Sequence, residues 1–291
     1  MRLLYQLIEM MKKTPRLKPL TEEQLSILQS NSLAVSHLLA EVAAQLKPGL
    51  TTLQIDAFCK KHILDLGAVP SFLGFHGYPF TICASVNDVV VHGFPNNRAL
   101  KEGDVVSVDV GITRGGFVGE HAYTFVLGEA NDAVLQLVRV TKESLYKGVE
   151  KAIAGNRVGD IGWAVQEHTE RQHGYGVVRD LVGHGLGRTM HEEPQVPNHG
   201  KRGSGVQLIE NIVLAIEPMI NMGKKDVYTE SDGWTVRTRD GLPSVHFEHN
   251  VCVKKGRPQV LSDFSVIEAA ERANPELNSA HYTASASAVP A

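Results

Sequence analysis

Apolar positions along this chain follow two rhythms. From Thr21 to about Leu46 they recur with a helical period. The run Thr21-Glu22-Glu23-Gln24 has the form of a capping box, and Lys47-Pro48-Gly49 stops the helix. A second helix is predicted from Thr52 to Leu66, ended by Gly67. The period then drops to two. "DVVSVDVGIT" (104–113) alternates, Arg114-Gly115-Gly116 turns, and "FVGEHAYTFVLG" (117–128) returns, which predicts a β-hairpin. Helices at about 131–153 and 159–173 follow, then short strands at 177–182, 211–217, 234–239 and 244–254 between glycine-rich loops. Helix, helix, strands, twice over, is the order of an α+β domain with two similar halves around a shared antiparallel sheet. No motif recurs between the halves. The domain is expected over 21–265. Residues 1–20 form an extension in which Leu3, Leu4, Leu7, Ile8 and Met11 share one face of a short amphipathic helix. Residues 266–291, ending in "NPELNSAHYTASASAVPA", are expected to be a disordered tail.

Composition narrows the functional classes. The chain has 291 residues, enough for a sizeable core, with 29 basic against 32 acidic side chains. That balance argues against nucleic acid as a partner, because such proteins usually carry a basic surface. No apolar run reaches the roughly 18 residues that a membrane helix needs. No small-residue cleavage site follows the N-terminal stretch, which reads as a helix and not as a signal peptide. Three widely spaced cysteines, Cys59, Cys83 and Cys252, give neither a disulfide framework nor a zinc finger, and fit a reducing cytoplasm.

The hairpin carries the first candidate chemistry. Val105, Ser107, Asp109 and Gly111 face one side of their strand. A two-residue type I′ turn at Gly115-Gly116 sets Gly111 opposite Glu120, so Glu120 and Asp109 share a face on a diagonal of roughly 7–8 Å. Paired carboxylates repel unless they face water or have a cation or proton between them, and the apolar flanks "VVSV" and "AYTFVL" favour a buried pair. Further on, His184 lies between Gly183 and Gly185, and His191 follows "GRTM". "HEEPQ" (191–195) begins like a zincin helix, but Pro194 and Gln195 exclude that reading. Glu217 ends the apolar run "IVLAIEP", and Glu248 sits inside "SVHFEHNVCV". A salt bridge could account for either glutamate alone. Four acids and one imidazole together make a hard, oxygen-rich set that suits manganese, iron(II) or cobalt, and four negative charges balance two divalent cations.

Asp109, Glu120, His184, Glu217 and Glu248 stand in order amid "SVNDVVVHGFP", "DVVSVDVGI", "GHGLGRTMHEEPQVPN", "IEPM" and "SVHFEHNVCV". In order and spacing they resemble the metal ligands of the methionine aminopeptidases over roughly residues 25–256, and the short gap between His184 and Glu217 is similar to type I. The resemblance implies a pita-bread fold and two divalent ions: manganese, iron(II) or cobalt, with zinc also admissible. By position Glu120 and Glu248 would bridge the metals, Asp109 would chelate one, and His184 with Glu217 would complete the other. Glu217 would also shuttle the proton. His92 and His191 would face the scissile amide, and Phe72, Phe75, Tyr78, Cys83, Met190 and Trp234 would hold the methionine side chain. The implied reaction is removal of the N-terminal methionine from nascent polypeptides with a small second residue, in the cytoplasm, with the ribosome as an expected contact. The family has aspartate where this chain has Glu120, and one extra methylene moves that carboxylate by about 1.5 Å. Met190 stands where an aromatic residue is familiar. Two alternatives remain: an Xaa-Pro peptidase of the same fold, which usually carries a large N-terminal domain, and a peptide-binding pseudoenzyme with a damaged metal site.

Overall fold

The computed structural model describes residues 17–279. The amphipathic helix expected at Leu3–Met11 lies outside the described residues. Helix α1 (Glu22–Gln45) starts at the expected capping box, with Gln24 N–H donating to Thr21 Oγ1 and Thr21 N–H donating to Gln24 Oε1. Helix α2 (Thr52–Asp65) opens on a second such box at Thr51. The strands that follow are β1 (Val69–Pro70), β2 (Ile82–Val86) and β3 (Val89–Val91), then the long hairpin β4 (Val105–Arg114) and β5 (Phe117–Val126). Its register is the expected one, Arg114 opposite Phe117 and Gly111 opposite Glu120. Gly115 and Gly116 both take positive φ, 62° and 76°, as a primed turn requires.

Helices α3 (Asp132–Val149) and α4 (Val158–Gln166) come next. The helix expected over 159–173 keeps α geometry only to Gln166 and then widens into a π turn over Glu167–Gln172. The second group of strands is β6 (Gly176–Val177), β7 (Gly183–Leu186), β8 (Glu192–Val196), β9 (Val213–Ile216), β10 (Met219–Asn221), β11 (Val227–Thr229), β12 (Val236–Thr238), β13 (Ser244–His246), β14 (His249–Cys252) and β15 (Gln259–Val260). The pairings between these strands are antiparallel, and they are divided among four sheets instead of one shared sheet. β1, β4, β2 and β5 form the first; β15-β14-β9-β7-β8 form the largest of the second half.

The single strand expected at 244–254 is broken. β13 pairs with β10 and β14 with β9, so Phe247 and Glu248 lie at the joint between two sheets. The tail needs a correction too. Phe264–Ala273 form helix α5, capped by Asp263, with Phe264, Ile267 and Glu271 buried. A disordered segment therefore does not begin at residue 266. Composition hid the helix, because only two large apolar side chains in ten anchor it.

The core lies between α1 and the hairpin, where Val35, Leu38 and Leu39 cluster with Val108, Val110 and Phe125. Each fully buried leucine contributes about 1.5–3 kcal/mol relative to exposure. A polar seam runs beside it. Asn31 Nδ2 donates to the carbonyls of Arg114 and Phe117 at 2.9 Å each, clamping the hairpin turn, and Ser32 Oγ donates to Asn250 Oδ1 at 2.8 Å. No described helix is long and apolar enough to cross a membrane.

Candidate active site

Strand register brings the five candidate ligands together. The hairpin supplies Asp109 and Glu120. β7 pairs with β9 so that His184 faces Ala215, two residues before Glu217. β9 pairs with β14 so that Ile216 faces His249, which places Glu217 beside Glu248 where the two strands end. The Glu248 N–H donates to the Ala122 carbonyl at 3.0 Å and so joins the second group of strands to the hairpin. All five line one cavity of about 430 Å³.

The glycines around His184 allow close approach of backbones. A Cβ on Gly183 would run into the Ala215 carbonyl, and one on Gly185 into the Glu193 carbonyl. His184 Nδ1 donates to the Gly185 carbonyl at 3.0 Å, which fixes the tautomer and leaves Nε2 as an acceptor aimed into the cavity. That Nε2 lies 3.6 Å from Glu120 Oε1 and 3.5 Å from Glu217 Oε1. Ligand atoms of Glu120, His184 and Glu248 all fall within 4.8 Å of one another; Asp109 and Glu217 are outside that tight group. Glu120 is held from behind, its N–H donating to Asn250 Oδ1 at 3.1 Å.

Electrostatics point the same way. Burial pushes Asp109 up to about 7 and Glu217 up to about 8, and lifts Glu120 and Glu248 well above the carboxylate range. Burial likewise lowers His184 to about 3, so its imidazole is neutral and free to ligate. Asp109 Oδ1, Glu120 Oε1 and Glu248 Oε1 are buried without any hydrogen-bond partner. Orphaned oxygens of this kind are costly unless a cation meets them, and the donor set is oxygen-rich with one imidazole. The residues fit divalent cations.

Around this acidic floor stand the other expected residues. Phe72, Phe75, Tyr78, Cys83, Met190 and Trp234 all line the cavity, as do His92 and His191. Tyr78 and Trp234 meet edge to face at 5.1 Å, and the Tyr78 hydroxyl is tied down by donating to the Ile82 carbonyl at 3.0 Å. Burial drives the Cys83 thiol well above its usual range, so it is a neutral, polarisable wall. His92 is held at φ 58°, a conformation that non-glycine residues rarely take, with its ring 6.0 Å from Trp234. Burial lowers it to about 4. His191 is exposed at the mouth, with its ring 4.3 Å from His184 and 5.2 Å from Phe75.

One site residue escaped the sequence reading. His246, 2% exposed, has Nε2 3.6 Å from Glu217 Oε2. The signal was present in "VHFEH", where His246 stands two residues before Glu248, on the same face under strand alternation.

Comparison with known proteins agrees with this geometry. The profile of metallopeptidase family M24 matches residues 27–255. A methionine aminopeptidase of Clostridium acetobutylicum is 48% identical over 217 residues, 74% of this chain and 86% of its own. The crystal structure of methionine aminopeptidase from Rickettsia prowazekii, 36% identical, aligns with TM-score 0.83 over 85% of this chain and 100% of that one. An X-Pro aminopeptidase from Thermotoga maritima, 20% identical, aligns with TM-score 0.68 over 84% of this chain and 62% of its own, and shares the fold.

Proposed function

Because the chain belongs to metallopeptidase family M24, among its methionine aminopeptidases of pita-bread fold, we propose that it releases the N-terminal methionine from peptides and nascent proteins with a small second residue. The observation that carries this reading is the convergence of Asp109, Glu120, His184, Glu217 and Glu248 on the floor of a cavity walled by aromatic rings and sulfur. An apolar wall with Cys83 and Met190 suits a thioether, and the acidic floor suits cations and a free α-amine.

In this reading Asp109 would hold one divalent ion and His184 with Glu217 a second, with Glu120 and Glu248 contributing to both; manganese, iron(II) and cobalt fit this donor set. Bound there, the ions supply Lewis acidity and lower the pKa of water. Glu217, pushed up to about 8 by burial, accepts a proton from the attacking water and returns it to the leaving amine. His92 and His191 hydrogen-bond the scissile amide and the oxygen that gains charge. Tyr78, Trp234 and Phe75 fix the methionine side chain so that the first peptide bond is presented.

The longer arm of Glu120 favours one refinement. Its Oε1 reaches the tight His184–Glu248 group while Asp109 stays outside it, so the Asp109 side binds its ion more weakly and activity is reduced. Three buried, free cysteines support a reducing compartment, the cytoplasm. The test is direct. Purified protein supplied with manganese or cobalt should cut Met-Ala-Ser and not Lys-Ala-Ser, with Xaa-Pro dipeptides as a control panel. No methionine released with any divalent metal would refute the reading.

A further inference from the structure

His246 has an unpaired nitrogen in the same place as the orphaned ligand oxygens. It ends β13 opposite Met219, a residue of the cavity wall. Thr124 fixes its backbone on both sides: the His246 N–H donates to Thr124 Oγ1 at 3.3 Å, and its carbonyl accepts from that hydroxyl at 2.5 Å. The imidazole therefore cannot leave by a backbone shift. Its Nε2 is buried with no hydrogen-bond partner, the state shared by Asp109 Oδ1, Glu120 Oε1 and Glu248 Oε1. Leaving such an atom unmet is costly, which argues for a partner in the working state.

Glu217 supplies that partner. Its carboxylate lies between two imidazoles, Oε1 3.5 Å from His184 Nε2 and Oε2 3.6 Å from His246 Nε2. Closing the second gap to a hydrogen bond of about 2.9 Å takes a movement of about 0.7 Å, within reach of a small rotation of the glutamate side chain. Asp109, on the hairpin, is a second carboxylate near it, and its charge raises His246 against the lowering effect of burial.

We infer that His246 is a positioning residue for Glu217: its Nε2–H holds one carboxylate oxygen while the other faces the metal, so that Glu217 cannot rotate out of place. Donors that orient metal-binding carboxylates typically contribute 10- to 100-fold in metal affinity or activity. The catalytic meaning rests on the proposed function; the metal-binding consequence does not.

The test uses the full chain stripped with a chelator, and three variants: His246→Ala and His246→Leu, which lack the donor, and His246→Gln, whose amide N–H can reach the same point. Titration calorimetry with manganese should show affinity lowered about 10- to 100-fold in the alanine and leucine variants and largely restored by glutamine. The melting temperature of the stripped protein should differ little between leucine and glutamine, and kcat on Met-Ala-Ser should fall more than KM changes. The leucine–glutamine pair decides the matter if the alanine variant does not fold. Wild-type affinity in a variant without the donor overturns the inference, as does glutamine binding metal no better than leucine. A wild-type protein that binds manganese but releases no methionine defeats the functional reading and leaves this affinity contrast intact.

Discussion

Replacing Glu120 by aspartate removes one methylene from the longer acid of the hairpin pair Asp109 and Glu120. The backbone cannot follow the change, since Glu120 N–H is held by Asn250 Oδ1 at 3.1 Å and the residue is paired with Gly111 in the hairpin. The carboxylate therefore withdraws by about 1.5 Å toward the hairpin that carries Asp109. In the parent, Glu120 Oε1 is 3.6 Å from His184 Nε2, which fits two atoms on one cation with bonds of about 2.1 Å. Asp109 lies outside the tight group of Glu120, His184 and Glu248, so an ion held beside it gains from a carboxylate that withdraws toward the hairpin. For scale, a unit charge that approaches a divalent ion by about 1.5 Å, as from about 5 to about 3.5 Å, adds about 3 kcal/mol at an effective dielectric near 20. The His184 side gives up part of that gain, and we expect a net tightening of the weaker ion by at least about tenfold, or 1.4 kcal/mol. Calorimetry and elemental analysis of Glu120→Asp should show occupancy rising toward two ions per chain, with kcat/KM on Met-Ala-Ser rising by a similar factor. A fall in both quantities would refute this account of the longer arm.

Glu217→Gln keeps the shape but cannot accept a proton, so kcat should fall about 100- to 10,000-fold with little change in KM; a change in KM alone would remove Glu217 from proton transfer. Gly185→Ala drives a Cβ into the Glu193 carbonyl, which should destabilise the fold by about 1–3 kcal/mol in thermal melts and weaken manganese binding through His184. The metal-free protein should become less stable as pH rises. Asp109 near 7 and Glu217 near 8 are raised above their unfolded values, so their contribution is complete below about pH 4 and lost as pH rises through about 7–8. Melting temperature followed in chelator from pH 6 to 9 should fall, and saturating manganese should flatten the curve.

Much of the candidate site's placement on the hairpin was legible because strand chemistry is periodic. Alternation in "VVSVDVGIT" and the glycine pair at 115–116 set the face of Asp109 and the register of Glu120, and the hairpin shows both. The glycines beside His184 and the acids in apolar runs were also informative, because burial of such groups needs a reason. Long-range placement was not legible. Nothing local announces that the chain breaks at Phe247–Glu248 and changes sheets, and His246 was passed over as an ordinary strand residue for that reason. Helix α5 was missed because its anchors Phe264 and Ile267 find their partners on distant segments, while its remaining residues are small or charged.

Helix α1 meets the hairpin through Asn31, and β14 through Ser32, as well as packing its leucines. A seal made of aliphatic side chains alone tolerates slippage by a notch, since one oily contact replaces another at small loss. Directional bonds admit a single seating. The amide of Asn250, which Ser32 grips, also grips the backbone of Glu120, so the helix serves as a ratchet pawl for the floor of the cavity.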